Sequence, residues 1–219
     1  MTSVIVANIV SSIDAGLRAA PQLTTAAVRQ IRRRVSKDLT SSPDDVLHAV
    51  ALALTQRDRL FDRFIAAELI AEHPTALRTL SVSDLRRLGR GMDSWGDVDV
   101  FACFLAGQLW RMGRVSDAEI HRWARASDRW WRRAGVVSTV PLNNRARGGS
   151  GDAARTLGVC RLVVDDRDPM VVKALSWALR ELAKQDPVAA GRFLEKYEAR
   201  VAGLVHREVT AKLETGRKR

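Results

Sequence analysis

Trp95 and Asp99 stand four residues apart in Asp93-Ser94-Trp95-Gly96-Asp97-Val98-Asp99. On a helix that spacing sends both side chains from one face. The stretch 95–112 reads as such a helix: Val98, Phe101, Leu105 and Leu109 form one apolar stripe, and Val100 with Phe104 forms a second. Apolar surface on two flanks predicts a helix sandwiched between neighbours. Between the stripes runs a third row, Trp95, Asp99, Ala102 and Ala106, whose small members are expected to leave space beside the carboxylate. A carboxylate next to an indole and a shallow gap can stabilise a developing positive charge or orient a water. The plainer explanation is that Asp99 pairs with a neighbouring Arg and Trp95 only packs. Asp97 reads as a first-turn carboxylate on another side, and Asp93 as a cap.

Two further segments could serve that carboxylate. The helix 128–140 contains Trp130-Trp131-Arg132-Arg133-Ala134-Gly135-Val136-Val137, in which Arg133 opens an apolar run. An Arg at the edge of a buried stripe requires a carboxylate partner, and Asp99 is a candidate. Trp131 and Arg132 have more ordinary readings as lid or surface positions. The helix 168–185 packs through Leu175, Leu179 and Leu182, while Lys173, Trp177, Arg180 and Lys184 make a second stripe. An aromatic flanked by cations suits a helix laid along a phosphate backbone, and equally a solvated basic face with a snorkelling Trp.

The elements that must position these residues are all helical. Roughly a dozen helices are legible, near 3–19, 24–39, one started by Pro43-Asp44-Asp45, 58–72, the short one after Ser81 or Ser83, 95–112, one capped by Ser116-Asp117, 128–140, 152–165, 168–185, 188–202 and 205–217. Thr24-Thr25, Pro43-Asp44-Asp45, Asp93-Ser94, Ser116-Asp117, Asp168-Pro169 and Asp186-Pro187 supply the starts; His73-Pro74 and Pro141 supply stops. No strand is predicted. Helices of this length with short turns pair as antiparallel hairpins. The expected fold is all-α, a HEAT-like helical-repeat solenoid of about six antiparallel helix pairs with a concave basic face, forming one domain over 1–219. A compact helical bundle is the alternative. The run Asn143-Asn144-Arg145-Ala146-Arg147-Gly148-Gly149-Ser150-Gly151 is expected to be a flexible basic loop.

Composition narrows the partners. The net charge of +11, from 36 Lys and Arg against 25 Asp and Glu, points to a polyanion, though an Arg-rich proteome would give the same excess. Cys103 and Cys160 lie in apolar helical patterns and read as buried thiols of a reducing compartment. The N-terminal apolar run breaks at Ser11-Ser12 and Asp14, so neither a signal peptide nor a membrane span is predicted, and a cytoplasmic location is expected. His48, His73, His121 and His206 are scattered without ligand spacing, so no metal site is expected. No Gly-rich phosphate cradle precedes a helix, so no cofactor is implied.

Taken together, Trp95 with Asp99, then Arg133 before a small-residue and apolar run, then Trp177 on a later basic helix, resemble the pattern of the AlkD-type family of HEAT-repeat DNA glycosylases. The similarity is clearest over roughly 90–200. It implies a cofactor-free, monomeric enzyme acting on duplex DNA that removes N3- and N7-alkylated purines. Such alkylation already makes the base cationic, so the leaving group needs no protonation. One carboxylate then suffices to stabilise an oxocarbenium-like sugar and position water. In this resemblance Asp99 plays that part, Trp95 and Trp177 offer electron-rich faces to the cation, and Arg133 holds Asp99 or a nearby phosphate. Arg180, Lys173 and Lys184 would touch the DNA backbone. The family acts without a deep base pocket, and no base-sized aromatic cage is evident here. A non-catalytic HEAT-like DNA-binding protein is the second reading; a protein scaffold would leave the Lys173–Lys184 stripe without a purpose.

Overall fold

The computed structural model describes residues 2–57 and 59–217. About 72% of the chain is helical and no strand occurs among the described residues, so the all-α expectation holds in a helical-repeat arrangement. Two compact units emerge, Met1–Gly91 and Met92–Arg219.

The first unit contains α1 (Thr2–Ala19), α2 (Thr25–Asp38), α3 (Asp44–Thr55), α4 (Asp62–Glu72), α5 (Ala76–Thr79) and α6 (Val82–Gly89). Thr24 and Ser81 cap α2 and α6 by accepting the amides of Ala27 and Asp84. Pro43 stands just outside α3, not in its first turn. Helix α4 starts at Asp62, later than the expected 58; Asp58 lies outside the described residues. The delay has a local cause, because Phe61 before it adopts φ 70°, a left-handed turn that a helix cannot include. Ile13, Val28, Val50, Leu54, Ile65 and Ile70 are fully buried and make the core of this unit.

The second unit begins with one long rod: α7 (Trp95–Val100), a π-helical stretch Phe101–Ala106 and α8 (Gly107–Arg111). Then come α9 (Asp117–Ala124), α10 (Arg129–Val137), α11 (Val140–Asn143), α12 (Ala153–Leu162), α13 (Pro169–Leu182), α14 (Pro187–Lys196) and α15 (Gly203–Thr215). Helix α10 packs on α7, α9 and α13, while α13 packs on α10, α12, α14 and α15. Gly135 permits the close approach of α10 to α9, since a Cβ there would lie 2.7 Å from the Ala124 amide nitrogen. Ser94, Ser116, Asp128, Asp152, Asp168 and Asp186 cap their helices through side-chain oxygens. Ser94, not Asp93, is therefore the cap of α7.

Three local expectations change. Pro141 does not stop a helix running to 140: α10 ends at Val137, and Pro141 enters the first turn of α11, where its missing N–H is harmless. Ala102 and Ala106, expected to leave space beside Asp99, are fully buried. A π turn bonds each N–H five residues back, so it rotates the face that an uninterrupted α-wheel assigns. The segment 143–151, expected to be flexible, is tied down. Asn143 is fully buried; its side chain donates to Thr139 O and Thr156 Oγ1 and accepts from the Asp152 amide. Gln108 donates to Arg147 O, Gln185 to Asn143 O, and the Arg147 guanidinium lies over the Phe104 ring.

Candidate active site

Asp99 sits near the end of α7, one helical turn beyond Trp95, just before the π stretch. Arg133 lies in the middle of α10 with a side chain only 6% exposed. The two meet as a fork: Arg133 Nε donates to Asp99 Oδ1 and Nη2 to Oδ2, both at 2.9 Å. The remaining terminal nitrogen, Nη1, donates to the Met170 carbonyl in the first turn of α13 at 2.6 Å. One guanidinium therefore locks three helices together. A bidentate Arg–carboxylate pair fixes the plane of the carboxylate as well as its distance.

Burial pushes the Asp99 carboxyl above the usual carboxylate range, and the hydrogen bonds and charge of Arg133 pull the other way. Its side chain keeps 19% exposure while its partner is nearly sealed. Both oxygens accept from Arg133 yet retain lone-pair capacity for a water or a cationic group. Trp95, at the N-terminus of the same helix, is 63% exposed. A large indole left in solvent is unusual, and it offers a flat electron-rich face.

The ion pair predicted between Asp99 and Arg133 is thus present. Trp95 shares the face of Asp99 by register, and Trp177 lies half-buried on α13, which packs against α10. Among the described residues neither indole makes a hydrogen bond or ring contact with the pair. The stripe on α13 is less uniformly cationic in place than in sequence. Arg180 turns inward, 15% exposed, with Nε on Ser176 Oγ at 3.2 Å and 3.4 Å from Glu208 Oε2. Lys184 pairs with Glu181 at 2.5 Å, and Lys173 is exposed.

The neighbouring residues have structural duties. Trp131 packs with Phe101 and Trp123, and Arg132 binds Asp166 Oδ2 along with the carbonyls of Ala126 and Ser127. Arg132 therefore fastens the start of α10, and Trp131 fastens its flank. Trp130 stacks under Arg129, whose guanidinium also lies 3.7 Å from Asp168. The Met170 carbonyl is the member that the sequence reading missed; only the Asp168-Pro169 helix start hints that it would lie in a first turn.

The model of the family described as DNA alkylation repair enzyme matches residues 22–213. The chain belongs to the DNA alkylation repair enzyme family. No curated protein and no solved structure matches it. The family match covers α2 through most of α15 and includes Trp95, Asp99, Arg133 and Trp177; α1 lies before it. For a DNA alkylation repair enzyme, a net charge of +11 has a ready partner in phosphate. Among the described residues no helix is long and apolar enough to cross a membrane.

Proposed function

We propose that this DNA alkylation repair enzyme is a glycosylase that hydrolyses the N-glycosidic bond of cationic N3- or N7-alkylated purines in duplex DNA. The observation that carries this reading is the forked Asp99–Arg133 pair: the guanidinium is sealed, the Asp99 side chain stays partly exposed, and an exposed Trp95 stands one turn away. The C1′–N bond breaks with its electron pair passing to the purine, which becomes neutral. The sugar is left with oxocarbenium character, and the Asp99 carboxylate stabilises it electrostatically. A water held by the same carboxylate attacks C1′ and releases its proton. Arg133 is a positioning residue, because it acts through Asp99. Trp95 and Trp177 present faces to the cationic lesion.

In this reading the protein acts on DNA as a monomer and without a cofactor. Lys173 is the cation of the α13 stripe best suited to a phosphate. Arg180 and Lys184 would have to leave Glu208 and Glu181 to join it.

A second reading has one observation in its favour. The Asp99–Arg133 fork is a sufficient structural purpose for Asp99, so a DNA-binding protein without excision activity would also retain it. Free-base release from methylated duplex DNA, wild type beside Asp99→Asn, separates the two. Release by wild type alone, with DNA binding preserved in the variant, supports the glycosylase. Release by both moves the chemistry away from Asp99, and release by neither favours the binding protein.

A further inference from the structure

Gly107 stands eight residues beyond Asp99 on the same rod, with the π stretch Phe101–Ala106 between them. Both positions meet the α10–α11 segment, and they do so in chain order. Asp99 takes the fork of Arg133 in the middle of α10. Gly107 presses its bare Cα against the end of α10: a Cβ there would lie 2.6 Å from Ser138 O, 2.8 Å from Pro141 Cγ and 2.9 Å from Ala102 O. Two of those three atoms are backbone oxygens, which cannot swing aside as the tip of a side chain can.

A regular α-helix does not offer both positions to one neighbour. At 3.6 residues per turn, eight residues leave Asp99 and Gly107 turned about 80° from each other. A π turn takes up about one extra residue, so the pair stands as i and i+7 do, within about 20°. The Gly107 N–H shows this change of register, because it donates to Ala102 O, five residues back. Cys103 O, the acceptor that an α-helix would use, faces Arg147 Nη1 instead, at 3.5 Å. Beyond Gly107 the phase of α8 is pinned independently of Asp99. Trp110 is fully buried, its Nε1 donates to Asp117 Oδ1 at 2.7 Å, and its carbonyl accepts from Arg155 Nη1 at 2.9 Å. The carboxylate is therefore delivered to Arg133 from a fixed point, and the π stretch sets the angle.

We propose that Gly107 is a positioning residue for Asp99: its contact with Ser138 O anchors the rod against α10, and the π stretch turns the Asp99 carboxylate from that anchor into the fork of Arg133. π turns are rare in helices and recur at functional sites. The place of Gly107 in catalysis rests on Asp99 being the carboxylate of the proposed excision; the anchoring itself does not.

The test reads the Arg133 Nε–H signal by ¹H–¹⁵N NMR on the full chain, assigned by its loss in Arg133→Lys, beside excision from methylated duplex across pH. Gly107→Ala is expected to displace the rod, to broaden or abolish the Arg133 signal through exchange with water, and to lower excision by roughly tenfold or more. With the fork loosened, the acid limb of the pH profile moves upward, which a general loss of folded protein would not cause. Phe104 is the one residue of the π stretch that is not buried. Its deletion leaves Asp99 and Gly107 at a spacing of i and i+7, which an uninterrupted α-helix already puts on one face. That variant is expected to keep the Arg133 signal and an excision rate close to that of wild type. An unmoved Arg133 signal in folded Gly107→Ala overturns the proposal, and so does a deletion variant that fails to fold or loses the signal. The deletion decides alone if Gly107→Ala does not fold. If wild type releases no base, the Arg133 signal in the two variants still decides the anchoring, so failure of the excision reading is told apart.

Discussion

Asp99 and Asp62 are the same residue in two different housings, one in each unit. Burial pushes both carboxyls upward, Asp62 to about 6, while Arg133 and Arg57 respectively pull them down. Asp99 meets its arginine through two aligned bonds, and the arginine is itself anchored on Met170 O. Asp62 lies 2.8 Å from Arg57 Nε, but the N–H is not aimed at it, and neither Asp62 oxygen accepts a hydrogen bond. Arg57 gives its better bond to Asp14, whose charge adds a repulsion on Asp62. Asp62 is fully buried, whereas the Asp99 side chain is partly exposed. The contrast teaches that burial and a nearby arginine do not make a site. Aligned donors must hold the anion in one orientation, and some of it must remain reachable.

The largest expected effect sharpens that contrast directly. Asp99→Asn is expected to lower base excision by roughly 10²–10³-fold, the scale on which a single electrostatic contact to a transition state acts. Asp62→Asn is expected to leave the rate per folded molecule little changed. Equal losses in the two variants would erase the distinction drawn between them.

Arg133→Lys keeps the cation and removes the fork, so excision should fall by roughly ten- to a hundredfold through misplacement of the carboxylate. The pH profile gives the more specific readout. In the proposed reaction Asp99 acts ionised, so activity is expected to be lost as pH falls through its folded pKa, which already lies above the ordinary 3.8. A lysine lowers that pKa less, so the acid limb should move to higher pH in the variant. An unmoved limb with a reduced rate would assign Arg133 to folding alone.

Stability tests the other housing. Asp62 has a folded pKa raised above its unfolded value, so the folded state holds the proton more tightly. Its burial therefore costs stability above about pH 6 and the cost is relieved as pH falls toward the unfolded value. Urea unfolding at pH 7.5 and pH 5 should show the wild type gaining on the order of 1–3 kcal/mol at the lower pH from this group. Asp62→Asn should flatten most of that slope, the remainder belonging to Asp99, whose shift has the same sign. An unchanged slope would mean that Asp62 is better satisfied than its geometry indicates.

The smallest effect concerns the α13 stripe. Lys173→Gln is expected to lower the salt slope of duplex binding by about one, as for the loss of a single phosphate contact. Lys184→Gln should do less, because Glu181 already holds that ammonium. Arg180→Gln should act on stability by stripping a partly buried partner from Glu208. A salt slope that falls equally in all three would restore the stripe as a uniform backbone contact.

Much of the candidate site's geometry was legible because it depends on local spacing. The four-residue step from Trp95 to Asp99 fixes a shared face on any helix, and Arg133 ahead of Ala134-Gly135-Val136-Val137 demands a carboxylate. The helix starts were legible for the same reason, since a Ser, Thr or Asp side chain reaches only its own first turn. The stripe Val98, Phe101, Leu105 and Leu109 is buried as the wheel assigns, although the helix passes through a π turn over 101–106 that the wheel does not foresee. The segment 143–151 misled because its Gly, Asn and Ser content describes a loop, while the bonds that hold it come from Gln108, Thr156 and Gln185. The cation at Arg180 was legible, but its neutralisation by Glu208 was not.

By itself the sequence determined the helices, their capped beginnings, the basic balance and the shared face of Trp95 and Asp99. Each of these follows from residue type and short-range spacing, where steric and hydrogen-bonding rules act within a turn or two. Only the tertiary structure decided that Arg133 reaches Asp99 and Met170 at once, that Trp95 stays in solvent, and that Asp62 rather than Asp99 is the misaligned carboxylate. Those outcomes depend on which helices pack together and on the angle at which a donor arrives. Such angles are set by the whole core and not by any single stretch of chain.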